Sequence, residues 1–398
     1  MGFLSRRYQF KHRSKRFVVW CFDLAGRILF FPLKFFERPL DLKQVQHILV
    51  IRADHLGDVV MTKPALAALH RRFPHAAIDL LTSVDAAPLY EDAREIREVI
   101  TWRHNWFSKK SSLREKLFES YALVSYLRAR KYDLGIDFRG DLRHILLMFL
   151  AGIAHRLGYS MTGGHFLLQE RPDYNHLNHQ VQLNLALLKN LEVPQDDVLS
   201  PFSYSGDQKK NFWDRLGCFL GTTAKPRIVM HLGAGYPSKR WSADKFLDLI
   251  QRIGDQELAE IVLIGTEEDR LLLPDTEKIR GKIIDLRGQT SLKDLLILMD
   301  SCDLFVGNDS GPAHLAAAQG LESVVIFSGT NHADIWHPWT KRLHLIHHDV
   351  PCSPCESEHC PLRHHDCMEK ISTAEVLAAI REIIENRNPK RPKHPYET

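Results

Sequence analysis

No stretch of this 398-residue chain reaches the ~20 consecutive apolar residues that a membrane-spanning helix needs. Its start also lacks a small-residue cleavage site of the signal-peptide kind. Acidic residues are missing before Asp23, whereas Arg6, Arg7, Lys11, Arg13, Lys15 and Arg16 crowd the same stretch. Seven cysteines are too few, over this length, for a disulfide scaffold. Net charge is only +4, which removes any whole-chain case for nucleic-acid binding. Internal repeats and low-complexity tracts are absent too. What is present is an ordinary globular mixture, 44% hydrophobic and 26% charged, long enough for two cores.

Apolar runs alternate with helical spacing along the chain. Gln46 to Arg52 is almost continuously apolar, as expected for a parallel strand covered on both faces. A helical stretch follows toward Arg72, with Leu66, Leu69 and Phe73 on one face and Pro64 predicting a kink or restart. Further strands are predicted at 77–81, 98–101, 132–137 and 155–159, with helices at 117–130, 142–151 and 178–191. The polar segment from Val193 to Lys209 reads as a linker. The second half gives strands near 227–232, 260–264, 283–285, 303–306 and 323–327. Its helices are expected at 243–253, after residue 265, and at 292–299, 315–319 and 373–386, the last a candidate to cross back toward the first domain. Strands separated by helices throughout predict an α/β protein of two Rossmann-like, parallel-sheet domains, 46–210 and 211–390, after an extension of residues 1–45.

Two turns carry chemistry. From Gly307 to Ala318 the chain reads as strand, Gly-containing turn and helix, the geometry that aims backbone N–H groups at an anion. Ser310 and His314 add side-chain donors there. A phosphate-bearing ligand and a plain, well-capped turn fit these residues equally well. The second turn, Gly57-Asp58, follows the first strand at its carboxyl edge, where open α/β sheets bind ligands.

Four segments together resemble glycosyltransferase family 9, the ADP-heptose:lipopolysaccharide heptosyltransferase family. They are Arg52 to Pro64 (RADHLGDVVMTKP), Ser238 to Trp241 (SKRW), Gly265-Thr266-Glu267 after a strand, and Asn308 to Ala318 (NDSGPAHLAAA). The resemblance spans residues 46 to about 385. It implies a GT-B arrangement, two domains facing each other across a cleft, and transfer of a heptose from ADP-heptose to a lipopolysaccharide core or related acceptor. It also implies a site on the cytoplasmic face of the inner membrane. The basic, aromatic start departs from the family's compact beginning.

By this resemblance Asp58 takes the place of the family's catalytic aspartate and serves as general base for an inverting transfer; as a residue alone it reads rather as a helix cap. Asp54 is the runner-up. Lys239 would neutralise the leaving diphosphate, while Ser310, Gly311 and His314 would hold it at a helix N-terminus. Glu267 would accept hydrogen bonds from the ribose or base, Asp309 would organise its turn, and Gly57 would shape the first. Arg139, His104 and the stretch from Trp102 to Lys116 are candidates for an anionic acceptor. The chain contains no Asp-x-Asp pair to seat a divalent cation, which predicts metal-independent catalysis. Other readings are a transferase for a different nucleotide sugar, a nucleotide-sugar epimerase, or a non-catalytic, membrane-associated nucleotide or sugar binder.

Two features stand apart from these motifs. After the basic cluster, aromatic and aliphatic residues from Phe17 to Phe36 are interrupted by charge, a pattern that suits an anionic membrane surface. A helix packed on the protein's own surface is the competing reading. Near the other end, Cys352, Cys355, Cys360 and Cys367 are interspersed with His359, His364 and His365. That cluster reads either as a structural zinc site or as reduced thiols in a compact loop.

Overall fold

In the computed structural model, residues 8, 10, 12–32, 39–102, 113–196, 200–220, 223–273 and 281–386 are described. The chain divides into two compact units, Met1–Val198 and Leu199–Thr398.

The first unit runs α1 (Arg13–Phe30), β1 (His47–Arg52), α2 (Leu56–Val60), α3 (Lys63–Arg72), β2 (Ala77–Thr82), β3 (Glu98–Thr101), α4 (Leu113–Ala129), β4 (Leu134–Asp137), α5 (Leu142–Leu150), β5 (His155–Gly158) and α6 (Gln180–Leu187). Its sheet has the order β3-β2-β1-β4-β5, every pair parallel. The predicted first strand is the central one, and Ile48, Leu49, Val50 and Ile51 are wholly buried, as two covered faces require. Leu49 and Ile51 meet Leu81, Ile145, Met148 and Phe166 in one core. The break expected at Pro64 is real: α2 ends at Val60, and α3 restarts with the proline in its first turn, where a missing N–H costs nothing.

The second unit runs α7 (Gly206–Leu220), β6 (Arg227–His231), α8 (Ala243–Asp255), β7 (Glu260–Ile264), β8 (Ile283–Asp285), α9 (Leu292–Asp300), β9 (Leu304–Asn308), α10 (Gly311–Ala318), β10 (Glu322–Phe327), α11 (Ala333–Trp336), β11 (Leu343–His347), α12 (Asp366–Glu369) and α13 (Thr373–Glu385). Its sheet order is β11-β10-β9-β6-β7-β8, again all parallel. The α/β, two-sheet class therefore holds.

Several elements differ from expectation. Residues 206–209, read as linker, form the first turn of α7, whose apolar residues Phe212, Leu216 and Leu220 are buried while its start is polar. Edge strand β11 was not anticipated, since its residues are only partly buried and carry two histidines. After β7 comes only a short 3-10 turn, Glu268–Leu272, within the described residues. Helix α13 packs on α8 within the second unit, burying Val376, Leu377 and Ile380 there. Most consequential, α10 begins at Gly311 rather than Leu315, because Ser310 is extended as N-cap and Pro312 suits the first turn.

In both sheets the chain reverses its direction of winding beside the first strand. The reversal lies between β1 and β4 in one unit and between β6 and β9 in the other. Loops leaving these strand pairs at their carboxyl ends flank a crevice, the place where open parallel sheets bind ligands.

Candidate active site

Both special turns sit at these reversal points. In the first unit β1 ends on Arg52, an unusual final residue for a buried strand and only 3% exposed. Its guanidinium donates from Nη2 to Asp58 Oδ1 at 3.0 Å and from Nη1 to the Phe138 carbonyl at 2.7 Å, tying the loop after β1 to the loop after β4. Asp54 Oδ2 lies 3.8 Å from the same Nη2. Burial works against the charge on Arg52, but Asp58, Asp54 and Asp137 outweigh it and hold its pKa above the ordinary arginine value.

Asp58 stands within α2, whose N-cap position belongs to His55 without a side-chain cap bond. Asp58 is thus the third residue of the helix rather than its N-cap, and it pairs with a buried cation. Gly57 precedes it in the same turn. Arg139 reaches the loop from β4, donating from Nη1 to the Ala53 carbonyl at 3.0 Å and lying 3.6 Å from Asp54 Oδ1. Its own turn is held by buried Asp137, which accepts from Arg139 N at 3.1 Å and Asp141 N at 2.8 Å. Asp54, Asp58 and Arg139 thus form one charged group around Arg52. His104 lies outside the described residues, as does most of the stretch around it.

In the second unit the loops after β6 and β9 meet. Lys239 Nζ donates to Asp309 Oδ2 at 2.6 Å, and the lysine side chain is 16% exposed against 3% for that of the aspartate. His314 Nε2 lies 3.7 Å from Asp309 Oδ1. Burial alone would raise the Asp309 pKa, but His314 and Lys239 reverse this and keep the carboxyl below its usual range. His314 is itself buried, and its Nδ1 has no hydrogen-bond partner. A buried, unpartnered ring nitrogen in the first turn of α10 is what an incoming anion would satisfy.

Residues without an assigned role complete this knot. His231 ends β6, shares a 3.0 Å hydrogen bond from Nδ1 with Ser310 Oγ, and places Nε2 3.7 Å from Asp269 Oδ2. Asp269 is pulled down to about 2: burial would raise it, but His231 and the Thr266 amide overcome that. Glycine is required beside it, because a Cβ at Gly233 or Gly265 would come within 2.5 Å of the Asp269 carboxylate. Asn308 accepts from Trp241 N at 3.0 Å and donates to the Leu232 carbonyl at 2.7 Å, so the SKRW turn and the NDSG turn are laced together.

The SKRW turn is also anchored from behind. Ser238 donates from N to the Glu358 carbonyl at 3.1 Å and from Oγ to the Ser357 carbonyl at 2.6 Å. His365 Nε2 bonds the Ser238 carbonyl at 2.9 Å. The cysteine-rich segment therefore backs the lysine turn. Cys352, Cys355, Cys360 and Cys367 are free thiols. Burial first, then the other three thiols, push the Cys367 thiol up. Among the described residues no three His, Cys, Asp or Glu side chains are arranged to hold a metal ion.

The structure thus brings Lys239, Asp309, Ser310, Gly311 and His314 together, while Glu267, in the loop of Asp269, turns its side chain to another partner. Glu267 is exposed, pairs with Arg270 at 3.3 Å and rests on Gly288. Sequence reasoning missed Arg52 and His231, both signalled by a cationic or polar residue closing an otherwise apolar strand ahead of a turn.

Comparison with known proteins identifies relatives of this arrangement. The model of glycosyltransferase family 9 (heptosyltransferase) matches residues 120–365. A lipooligosaccharide heptosyltransferase 2 of Campylobacter jejuni is 26% identical over 83% of this chain and 96% of its own length. A lipopolysaccharide heptosyltransferase 3 of Escherichia coli is 28% identical over 72% of this chain and 83% of its own. The crystal structure of a family 9 glycosyltransferase from Veillonella parvula superposes with a TM-score of 0.77 at 19% identity, over 88% of this chain and all of that one.

Proposed function

This chain belongs to glycosyltransferase family 9 and is a glycosyltransferase, and on that premise we propose that it moves a heptose from ADP-heptose to a lipopolysaccharide core acceptor, with inversion and without a metal. The two curated relatives, both heptosyltransferases, support the donor and acceptor class. The reading puts the enzyme on the cytoplasmic face of the inner membrane, where a nucleotide sugar and a lipid-linked acceptor are both within reach.

The observation that carries the mechanism is the pair of opposite charges held at the two reversal points: Asp58 fixed by Arg52, and Lys239 fixed by Asp309. Inverting transfer needs a base on the acceptor and a cation on the leaving group. Asp58 accepts the proton of the acceptor hydroxyl as its oxygen bonds to the anomeric carbon. A free aspartate, with a pKa of ~3.9, is a weak base, so the proton moves late, once positive charge on the sugar has made the hydroxyl acidic. The anomeric C–O bond to the β-phosphate breaks on the opposite face, and ADP leaves with the electron pair. Lys239, the first turn of α10 and His314 receive the growing charge. Asp309 holds the lysine amine in place, which leaves little reorganisation for the reaction itself. Glu267 reaches a ribose hydroxyl by exchanging its exposed partner Arg270 for it.

The test is calorimetric titration of the whole chain with ADP, UDP, GDP and ADP-heptose in EDTA, followed by transfer assays on Asp58→Asn. Selective binding of ADP and its sugar, with transfer cut ~10²–10⁴-fold in the variant, is the expected result. Preference for UDP or GDP would remove heptose as the donor, and full activity in Asp58→Asn would remove the base.

A further inference from the structure

Helix α1 has a face that neither the fold nor the proposed chemistry uses. Its inner side is fixed in one rotational setting. Buried Asp23 accepts from Tyr8 Oη at 2.6 Å and Gly164 N at 2.8 Å, and pairs with His165 Nδ1 at 2.7 Å. Gly26 lies against the Phe166 ring, where a Cβ would come 2.3 Å from a ring carbon. Phe30 packs on the same ring, centroids 5.2 Å apart.

At 100° per residue these inward positions leave Phe17, Val18, Leu24, Ile28, Leu29 and Phe31 on the other half of the cylinder. They are exposed by 57%, 65%, 43%, 71%, 74% and 59%. Between Phe17 and Phe31 the charged residues are Asp23, which is buried inward, and Arg27, which falls on Asp23's side of the helix. An uncharged, aromatic and aliphatic strip about 21 Å long is far more apolar surface than a protein leaves to water without a purpose.

Charge selects what covers it. Arg13, Lys15 and Arg16 open the helix, Arg6, Arg7 and Lys11 precede it, and no acid occurs before Asp23. A second copy of the chain brings the same cations with no acid in this segment to meet them. An anionic bilayer supplies both an apolar interior and a negative surface. Among the described residues no helix is long and apolar enough to cross a membrane, so the strip suits lying in the interface.

We propose that the outer face of α1 inserts shallowly into an anionic lipid bilayer, its basic start among the headgroups, and so anchors the first unit to a membrane surface. The benefit to catalysis rests on the lipid-linked acceptor proposed above, whereas the binding itself does not. Flotation of the full chain with phosphatidylethanolamine–phosphatidylglycerol vesicles, against phosphatidylcholine vesicles, tests it with no nucleotide or acceptor present. We expect binding to the anionic vesicles, at least about tenfold weaker on the neutral ones and at roughly 0.5 M salt. The double variant I28E/L29E, both positions exposed, should lose on the order of 100-fold in partitioning, with ADP binding and melting temperature unchanged. No preference for anionic vesicles, or binding that survives I28E/L29E, overturns the assignment. A dimer that I28E/L29E dissociates assigns the face to a second copy instead. Because the assay contains neither donor nor acceptor, failure of the transferase reading leaves its result intact.

Discussion

Replacing Arg52 by methionine should slow transfer through Asp58 rather than through the fold alone. At 3.0 Å the Arg52–Asp58 attraction is about 5–6 kcal/mol in an effective dielectric of ~20, before the cost of burying both charges is subtracted. Removing one partner of a buried pair costs ~3–5 kcal/mol, because the other charge stays behind. For a unit this size that lowers the melting temperature by roughly 10 °C. The catalytic loss comes from a carboxylate no longer aimed, and a displacement of ~1 Å costs about 10²-fold. The assay is a double-mutant cycle on kcat with R52M, D58N and R52M/D58N, and with R52K as the variant that keeps the charge and folds more readily. If Arg52 acts by aiming Asp58, the double variant loses no more than D58N alone. A double variant whose loss is the product of the two single losses refutes this, as does R52M at a rate within about threefold of the parent.

Two further predictions concern the second unit. Lys239→Ala should reduce kcat ~10²–10³-fold and weaken ADP binding in calorimetry, since it removes the cation aimed at the leaving group; unchanged ADP affinity would show that the amine serves only buried Asp309. Asp269, held at about 2 against 3.8 for the free side chain, contributes stability fully present above pH 3.8 and lost as pH falls toward 2. That depression is worth about 2 kcal/mol. Asp269→Asn should therefore destabilise the chain at neutral pH and flatten the fall in melting temperature between these pH values, and an unaltered acid limb would show that another carboxylate sets it.

The fold was legible because burial on both faces leaves a strong mark: β1 and β9 are short, apolar and end abruptly in turn residues. Where burial is one-sided the mark fades, and α7 and β11 went unread for that reason. Alanine content marks helix α10 but says nothing of where Ser310 and Pro312 let it begin. The site was half legible. Asp58, Lys239, Asp309 and His314 belong to local motifs. Arg52 and His231 bond Phe138 and Ser310, eighty-six and seventy-nine positions away, and only the parallel sheets bring them to those partners. The spacing of Gly265-Thr266-Glu267 carried no information on rotamer, so it could not reveal that Glu267 faces solvent beside Arg270.

The three hydrogen bonds that tie Ser238 to residues 357, 358 and 365 bear on how this protein can be recombined. A chimaera built to change donor preference would naturally exchange the loop around Lys239 as a cassette, cut where the sequence motif ends. Such a cassette would arrive without the segment it hangs from, more than a hundred residues downstream, and its lysine would no longer point at Asp309. The transferable module is discontinuous: residues 233–241 together with 350–366.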